Sequence, residues 1–594
     1  MTYTLSFKPA IDLYGQHDPS AALFDDGELR FAIEEERLTR DKHAVDTFPE
    51  RAIRACLEYE GIELADVEKI VLPYDPKLRS KIAGHYLKNT TQLDSHLSKV
   101  THLKNVARDQ VFGRFAPNRI VEGRLEEIGT PVPPIENRSH HECHAVSAFH
   151  PSPFDEALVL TIDAKGEYDS TVVWHATPDG LERVRTYDHP NSWGLFYAAI
   201  TNYVGYRMFN GEGKVMGLAP YGEENPNIER RLRSVVDTGV DYDVTELTGR
   251  WGTEHGVETL EELFGRPASK TTDEFDQFEK DLAYAAQRLL EESISALVDE
   301  YVDRLDTSNV CLAGGVVLNC KLNKQVAERP GVDDVYIQPV AHDAGLALGG
   351  GWIDHRPTEI EQMTDAYWGP AYETDEIREL LETNKIEYAE PDDLERRVAE
   401  LIADGALVGW FQGRMELGPR ALGNRSILAD PRTEASRDRV NRFVKHREGW
   451  RPFAPSMIES AADEFLENAR PSPFMINTFD VKPDRSDDLA AVVHPADDTT
   501  RAQTVRKDQN PRYYRLLREF EDVTGVPVLL NTSFNDHAEP IVRTPTEALK
   551  DFYGMGLDVL VLEDIVVTKR ASDYDLGASE AEVELQRETP AADV

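Results

Sequence analysis

The sequence predicts an α/β protein in which a duplicated α/β core is followed by a second, twisted α/β domain, on three observations. First, residues 11–43 read as a loop, a strand over 20–24, an Asp26-Gly27 turn and a strand over 29–34. Asp-Gly between apolar runs is a strong hairpin signal. Second, a related pattern returns as a buried-type strand over 157–163, a loop containing Gly166, a strand over 171–175, an Asp179-Gly180 turn and a further strand. Third, beyond a Trp-Gly-Pro connector within 365–373, the chain carries its own strand-like runs at 406–411, 526–530 and 559–562.

Between these landmarks, residues 275–305 follow a helical period through Phe278, Leu282, Leu289, Leu297 and Val298. Residues 309–319, NVCLAGGVVLN, read as strand, Gly-Gly turn and helix start. His342-Asp343-Ala344-Gly345 then opens a helix rich in Ala, Gly and Leu, whose small residues permit close packing. The expected domains are 1–365 and 366–571, with an acidic, apolar-poor tail at 572–594. Paired loop-plus-hairpin units are also the plan of the sugar kinase, Hsp70 and actin superfamily, which places a phosphate-binding hairpin in each half.

With 594 residues the chain is too long for one compact core. Asp and Glu number 108 against 65 Lys and Arg, a net charge of -43 that repels nucleic acid and excludes a large nucleic-acid footprint. The 9% aromatic content and the patterned segments exclude a disordered acidic chain. No run approaches the roughly 18 apolar residues of a membrane span, so no membrane partner is expected. Met1 to Lys8 lack a charged segment followed by an apolar one, so a cytoplasmic location is expected. Cys56, Cys143, Cys311 and Cys320 form no CxxC pair and read as reduced thiols.

Chemistry begins at His140-His141-Glu142-Cys143-His144. Four residues apart on a helix, His140 and His144 share a face and reach one metal, or they are simply core histidines. Asp343, at the head of its Gly-rich helix, is the candidate third ligand. Two imidazoles and a carboxylate suit iron, zinc or manganese alike. His17-Asp18 precedes the first hairpin; an imidazole titrating near neutrality suits a general base. Residues 211–217, GEGKVMG, and Gly314-Gly315 read as Gly-rich turns whose backbone approaches phosphate closely, with Lys214 adding a charge.

The second domain sets Arg420 and Arg425 among turn-formers in GPRALGNRS, then Lys445 and Arg447 in KHRE, Arg451 in RPFAP, Arg501 in TTRAQTV, and Asn531 and Ser533 in NTSFN. Surface ion pairs are one account of these cations. A polyanion pocket is the better one, because arginine forks match phosphate and carboxylate oxygens.

Taken in order, GQHDPSAAL, EEERLTRDKH, HHECHA, GEGKVMGLAPYG, AGGVVLN, HDAGLALG, GRMELGPRALGNRSILADPR, KHREGWRPFAPS, TRAQTV and NTSFN resemble the nodulation-protein and tobramycin-type O-carbamoyltransferases from about 11 to 570. The resemblance implies an actin/Hsp70-superfamily N-terminal domain and a C-terminal domain similar to threonylcarbamoyl-adenylate synthase. It implies an ATP-dependent enzyme, a transferase of one-carbon groups. Carbamoyl phosphate and ATP with Mg2+ would give carbamoyl adenylate in the C-terminal domain, and the N-terminal domain would pass the carbamoyl group to a hydroxyl of a sugar or other small metabolite. The site residues it implies are Lys445, Arg451, Arg501, Asn531 and Ser533, with Arg420 and Arg447, for carbamoyl phosphate and nucleotide phosphates. His140, His144 and Asp343 would ligate a divalent metal, iron above zinc or manganese; His17, with Asp18, would be the base; Lys214, Gly314, Gly315 and Asn319 would contact nucleotide.

The sequence departs from that pattern at Asp163-Ala164-Lys165-Gly166-Glu167, where one glycine is lost, and at His494, displaced from the segment leading to Arg501. Threonylcarbamoyl transfer in tRNA modification is the rival reading, opposed by the net charge of -43. Oligomeric state is open, a homodimer included. The acidic excess is spread along the whole chain and reads as adaptation to high salt, which screens self-repulsion. Helical circular dichroism is accordingly expected to collapse as salt is dialysed away; an unchanged spectrum in dilute buffer contradicts that reading.

Overall fold

A computed structural model describes residues 2–11, 15–78, 81, 100, 117–249, 253–272, 274–447, 449–536 and 538–569. The expected tail at 572–594 lies outside the described residues, as do residues 12–14 of the expected first loop. The chain divides into two compact units, Met1–Met363 and Thr364–Val594.

The first unit contains the same sheet twice. Strands β1 (Tyr3–Lys8), β2 (Ser20–Asp25), β3 (Glu28–Glu34), β4 (Val67–Leu72) and β5 (Ile135–Asn137) lie in the order β3-β2-β1-β4-β5. β2 runs antiparallel to β1 and β3, whereas β4 is parallel to β1 and β5 parallel to β4. Strands β6 (Ala157–Ile162), β7 (Asp169–Thr177), β8 (Gly180–Asp188), β9 (Asn309–Ala313) and β10 (Asp334–Ile337) repeat this plan as β8-β7-β6-β9-β10, with the same parallel and antiparallel relations. This repetition is the duplicated α/β core that the sequence predicts. At the first hairpin Asp26 and Gly27 both have positive φ, 50° and 85°, the pair of conformations a two-residue turn of the favoured twist needs.

A helix pair links the halves. The Leu346–Trp352 helix packs on β1 and β2, the His140–Phe149 helix packs on β6 and β9, and the two helices pack on each other. Buried glycines make these contacts close, Gly349 against the partner helix and Gly350 and Gly351 against the first sheet. A Cβ on Gly349 would lie 1.8 Å from the Cys143 carbonyl oxygen, one on Gly350 2.4 Å from Ser6 Oγ, and one on Gly351 1.9 Å from the Phe24 ring. On the outer face of the first sheet, the Glu50–Glu60 helix buries Ile53 and Leu57 among Leu5, Phe7, Leu23, Ile33 and Ile70.

The second unit is built on a seven-stranded mixed sheet. Its strands are β11 (Val408–Phe411), β12 (Arg425–Ala429), β13 (Ala454–Ile458), β16 (Gln503–Val505), β17 (Val528–Ser533), β18 (Val559–Leu562) and β19 (Ile565–Thr568), ordered β16-β13-β17-β12-β11-β18-β19. β14 (Phe479–Asp480) and β15 (Thr499–Thr500) form a separate two-stranded ribbon. Helices Leu394–Ala403 and Pro511–Thr524 pack together and contribute Val398, Ile402, Leu516 and Phe520 to a core with Trp410, Phe411, Ile427 and Leu529.

Placing a valine at Gly349 has no room to relax, because the clash is with backbone. Gly349→Val is expected to lower stability by about 3 kcal/mol or to prevent folding, read as the thermal unfolding midpoint; a midpoint equal to that of the wild type contradicts the close-packed helix pair.

Candidate functional site

The His140–Phe149 helix begins three residues after β5 and carries both imidazoles on one buried face. Asp163 directly follows β6, and Asp343 opens the turn after β10. His144 Nε2 stands 3.2 Å from Asp163 Oδ2 and 3.9 Å from Asp343 Oδ1; His140 Nε2 stands 3.7 Å and 3.9 Å from the same two oxygens. The second oxygens are committed elsewhere. Asp343 Oδ2 pairs with Lys8 Nζ at 3.1 Å, and Asp163 Oδ1 accepts the Ala164 N–H at 2.6 Å. One ligand atom from each of the four residues lies within 4.8 Å of every other.

This arrangement fits a divalent metal. His140 Nε2 and His144 Nε2 are buried without a hydrogen-bond partner, a costly state for a polar atom that a cation relieves. The donor set is two imidazoles and two carboxylates, one carboxylate more than the sequence leads one to expect. Burial opposes charge on His140, but Asp163 and Asp343 outweigh it and raise its pKa to about 9. Burial prevails at His144, whose pKa is lowered. Glu167 fixes the start of the helix by accepting the His140 N–H at 3.0 Å and the Asp75 N–H at 2.7 Å. The altered 163–167 loop thus keeps both of its carboxylates at work.

Lys8 escaped the sequence reading. It ends β1, is 2% exposed, and its ammonium bridges the Asp343 carboxylate and the His17 carbonyl. The sequence signal is a lysine closing an otherwise buried strand, YTLSFK. Lys8 and Asp163 therefore stand at corresponding ends of the first strands of the two sheets. A hydrogen bond of 2.7 Å from Ser20 Oγ to the Ala344 carbonyl ties the first hairpin to the Asp343 turn.

His17 and Asp18 lie in the β1–β2 loop beside a second histidine. His17 Nδ1 and His43 Nδ1 each lie 2.8 Å from a different oxygen of the Asp18 carboxylate. His43 N–H donates to Glu36 Oε2 at 2.7 Å. Burial opposes protonation of both imidazoles, yet Asp18 outweighs it and both pKa values are raised. Asp18 has the left-handed φ of 56°, which aims its carboxylate between the rings.

The residues expected to meet nucleotide are placed differently from one another. Lys214 lies on a helix, Glu212–Leu218, where a Gly-rich turn was expected; two glycines do not prevent about two turns of helix packed against the Gln277–Leu305 helix. Its ammonium lies over the Tyr206 ring at 4.8 Å. Gly314 has φ 95°, and a Cβ there would lie 2.3 Å from the Ile162 carbonyl, so it seats the turn on β6. Gly315 N–H donates to Asp163 Oδ2 at 3.2 Å, which ties this turn to the metal-type cluster. Asn319 caps the Cys320–Ala327 helix and exchanges hydrogen bonds with Gln287 at 2.8 Å and 3.1 Å.

In the second unit the motif strands are neighbours: TRAQTV leads into β16, APS lies on β13, NTS ends β17 and RSILA is β12. Lys445, 7% exposed at the end of a π-turn, donates to the Ser533 carbonyl at 2.6 Å and to Asn535 Oδ1 at 2.9 Å. Asn531 is buried, and its amide donates to Ser456 Oγ at 2.9 Å and to Gln503 Oε1 and the Ala421 carbonyl at 3.2 Å each. It locks three motifs together. Arg447 is held by Asn441 Oδ1 at 2.8 Å and lies over Phe453, whereas Arg420, Arg451 and Arg501 are half-buried, Arg501 with a buried Nε that lacks a hydrogen-bond partner. Sequence reasoning passed over Glu416, a buried carboxylate whose Oε1 accepts the N–H groups of Leu422, Asn424 and Arg425 at 2.8, 2.8 and 3.0 Å, shaping the GPRALGNR loop. It also passed over the structural part of Arg425, which is fully buried against four backbone carbonyls.

Because Asp18 supplies the main opposition to burial at His17 and His43, Asp18→Asn lets burial lower both pKa values. NMR titration is expected to give both imidazoles midpoints above the ordinary value in the wild type and lower midpoints in Asp18→Asn. Midpoints that do not move on substitution contradict the shared-carboxylate arrangement.

Two family models account for most of the chain: Carbamoyltransferase N-terminus matches residues 10–351 and Carbamoyltransferase C-terminus matches residues 399–569. The chain is 37% identical to nodulation protein NolNO of Sinorhizobium fredii over 570 residues, 94% of this chain and 79% of that one. It is 36% identical over 612 residues to an uncharacterised protein of Synechocystis, covering 93% of this chain and 95% of that one. Among solved structures, full-length HypF in its phosphate- and nucleotide-bound form aligns at a TM-score of 0.35 with 12% identity, over 59% of this chain and 55% of that one. With both halves matched and whole-length relatives above 30% identity, the chain belongs to the carbamoyltransferase family and is a carbamoyl-transferring enzyme.

Proposed function

We propose that the protein is an ATP-dependent O-carbamoyltransferase that works through carbamoyl adenylate and delivers the carbamoyl group to a hydroxyl of a sugar or other small metabolite. The observation that carries this reading is the juxtaposition, within the first unit, of a four-residue cation-type cluster and an Asp18-held imidazole, bridged by Lys8. A site of that kind suits transfer from an anionic donor to a hydroxyl.

In the second unit, Lys445, Arg451, Arg501, Asn531 and Ser533, with Arg420 and Arg447, serve carbamoyl phosphate and the phosphates of ATP, which enters with Mg2+. Activation consumes one water. The water splits carbamoyl phosphate into carbamate and phosphate, a carbamate oxygen attacks the α-phosphorus of ATP, and pyrophosphate leaves. Cationic side chains favour the charge that develops on the phosphates. Asn531 and Lys445 act chiefly by holding the strand-end loops in place, since their donors already bind the chain.

In the first unit, His17 takes the proton of the acceptor hydroxyl as its oxygen attacks the carbamoyl carbon. The bond from that carbon to the phosphate oxygen breaks, and AMP leaves. Asp18 orients the His17 ring through Nδ1, which leaves Nε2 for the acceptor. His140, His144, Asp163 and Asp343 would hold a divalent metal, iron in the reading from resemblance, and when bound it supplies positive charge for the adenylate phosphate. Lys214 and the Gly314-Gly315 turn, which borders Asp163, are the nucleotide-side contacts.

Lys445→Ala and Arg501→Ala are each expected to lower carbamoyl-phosphate-dependent release of pyrophosphate from ATP by about 100-fold or more. His140→Ala is expected to leave that release largely intact and to abolish O-carbamoyl product. Full release in both C-terminal variants, or loss of release in His140→Ala, contradicts the assignment.

A further inference from the structure

The Asp18 carboxylate carries two imidazoles, and the transfer chemistry above uses only one of them. His17 Nδ1 takes one oxygen and His43 Nδ1 the other, each at 2.8 Å. Burial opposes ionisation of Asp18, but the two rings outweigh it, so Asp18 is a carboxylate and accepts from both. The backbone is held to this arrangement. Asp18, His43, Ala44 and Asp46 all have left-handed φ, 56°, 67°, 38° and 53°, conformations that non-glycine residues keep where the surroundings enforce them. A seam between the two loops enforces them here: the Asp18 N–H donates to the His43 carbonyl and the Asp46 N–H to the Gln16 carbonyl, both at 2.9 Å.

The two rings face different charges. Beside His17 are Asp18, the Lys8 ammonium at its carbonyl, and Asp343, which offsets Lys8. Around His43 stand three carboxylates, Asp18, Glu36 and Glu212. The exposed Lys42 opposes them, as does Arg37, which pairs with Glu36 at 3.3 Å, and His342 faces Asp18. His43 Nε2 is buried without a hydrogen-bond partner, whereas the His17 side chain is 33% exposed. A buried ring nitrogen among carboxylates is relieved by a proton. One carboxylate between two imidazoles supports one imidazolium better than two, because the first repels the second. The carboxylates around His43 decide which ring holds that charge.

We propose that His43 is the resident imidazolium of this pair, that it neutralises Asp18, and that it thereby keeps His17 unprotonated and free to take the acceptor's proton. The proposal rests on the transfer reading above and gives a part to a histidine which that reading leaves idle. His43 is a positioning residue, since it reaches the reaction only through Asp18 and His17. A histidine that merely held Asp18 in place would be matched by glutamine, whose amide donates a hydrogen bond without the charge.

Diethyl pyrocarbonate tests it, because the reagent acylates only an unprotonated imidazole and peptide mass spectrometry locates the adduct on His17. In His43→Gln, acylation of His17 is expected to slow about tenfold at about pH 6 and to match the wild type at about pH 9. His43→Lys, which keeps a positive charge beside Asp18, is expected to stay within about twofold of the wild type at both pH values. Should thermal unfolding show that either variant fails to fold, His43→Asn replaces the uncharged one, since asparagine tolerates left-handed φ, and His43→Arg the charged one. Equal rates in the wild type and the uncharged variant at the acid pH overturn the proposal. So does a charged variant as slow as the uncharged one, or a wild-type His17 that reacts at neither pH. The probe needs no carbamoyl phosphate, ATP or acceptor, so the two claims fail separately. A slowed His17 in an enzyme without carbamoyl-phosphate-dependent pyrophosphate release keeps the counter-charge and overturns the transfer reading. An unslowed His17 in an enzyme with that release overturns the counter-charge alone.

Discussion

Two carboxylates, the buried Asp163 and the half-buried Asp343, face the same point between two imidazoles, and the first unit is organised around the positive charge they require. Like charges in a low-dielectric interior repel strongly unless cations compensate them. Lys8 compensates one oxygen of Asp343 from the end of β1. Backbone N–H groups of Ala164 and Gly315 satisfy Asp163 from the second sheet and its neighbouring turn. Asp343 Oδ1 and Asp163 Oδ2, the latter also accepting the Gly315 N–H, face the orphaned Nε2 atoms of His140 and His144. Gly349 makes this convergence feasible, because it lets the two inner helices approach at backbone distance, while Gly350 and Gly351 seat their helix on the first sheet.

Duplication explains where the parts lie. Each sheet presents the end of its first strand and the following loop toward the shared centre, and the two halves have diverged in what they place there. The first half supplies an ammonium and the His17-Asp18 loop, whereas the second supplies a ligand carboxylate and Glu167. Because Lys8 contacts both Asp343 and the His17 carbonyl, the position of the base is mechanically linked to the position of a metal-type ligand. In the second unit the equivalent constraint is a hydrogen-bond lock. Asn531 joins the strands of three motifs at the middle of the sheet, while Glu416 gathers three N–H groups to shape the GPRALGNR loop.

Much of this was legible from the residues. The Asp26-Gly27 hairpin, the HxxxH face, the strand-turn-helix of NVCLAGGVVLN and the strands of the second unit follow from local pattern, because turn chemistry and periodicity act over few residues. Asp163 was visible only as a departure from a familiar loop, since nothing local marks which of many acidic residues points inward in a chain of net charge -43. Lys8, His43 and Glu416 were missed for a related reason. Their roles depend on partners 335, 25 and 6 to 9 positions away in the chain, and tertiary contact decides them. The helix at Glu212–Leu218 shows packing overriding two glycines that read as a turn.

The central claim is that His140, His144, Asp163 and Asp343 together bind one divalent cation. Elemental analysis and calorimetric titration of the purified chain with Fe2+, Zn2+ and Mn2+, on the wild type and on Asp163→Asn, measure it most directly. The account predicts one tightly held ion per wild-type chain and a large loss of affinity in Asp163→Asn. An ion held equally well by both proteins, or none held by the wild type, would contradict it.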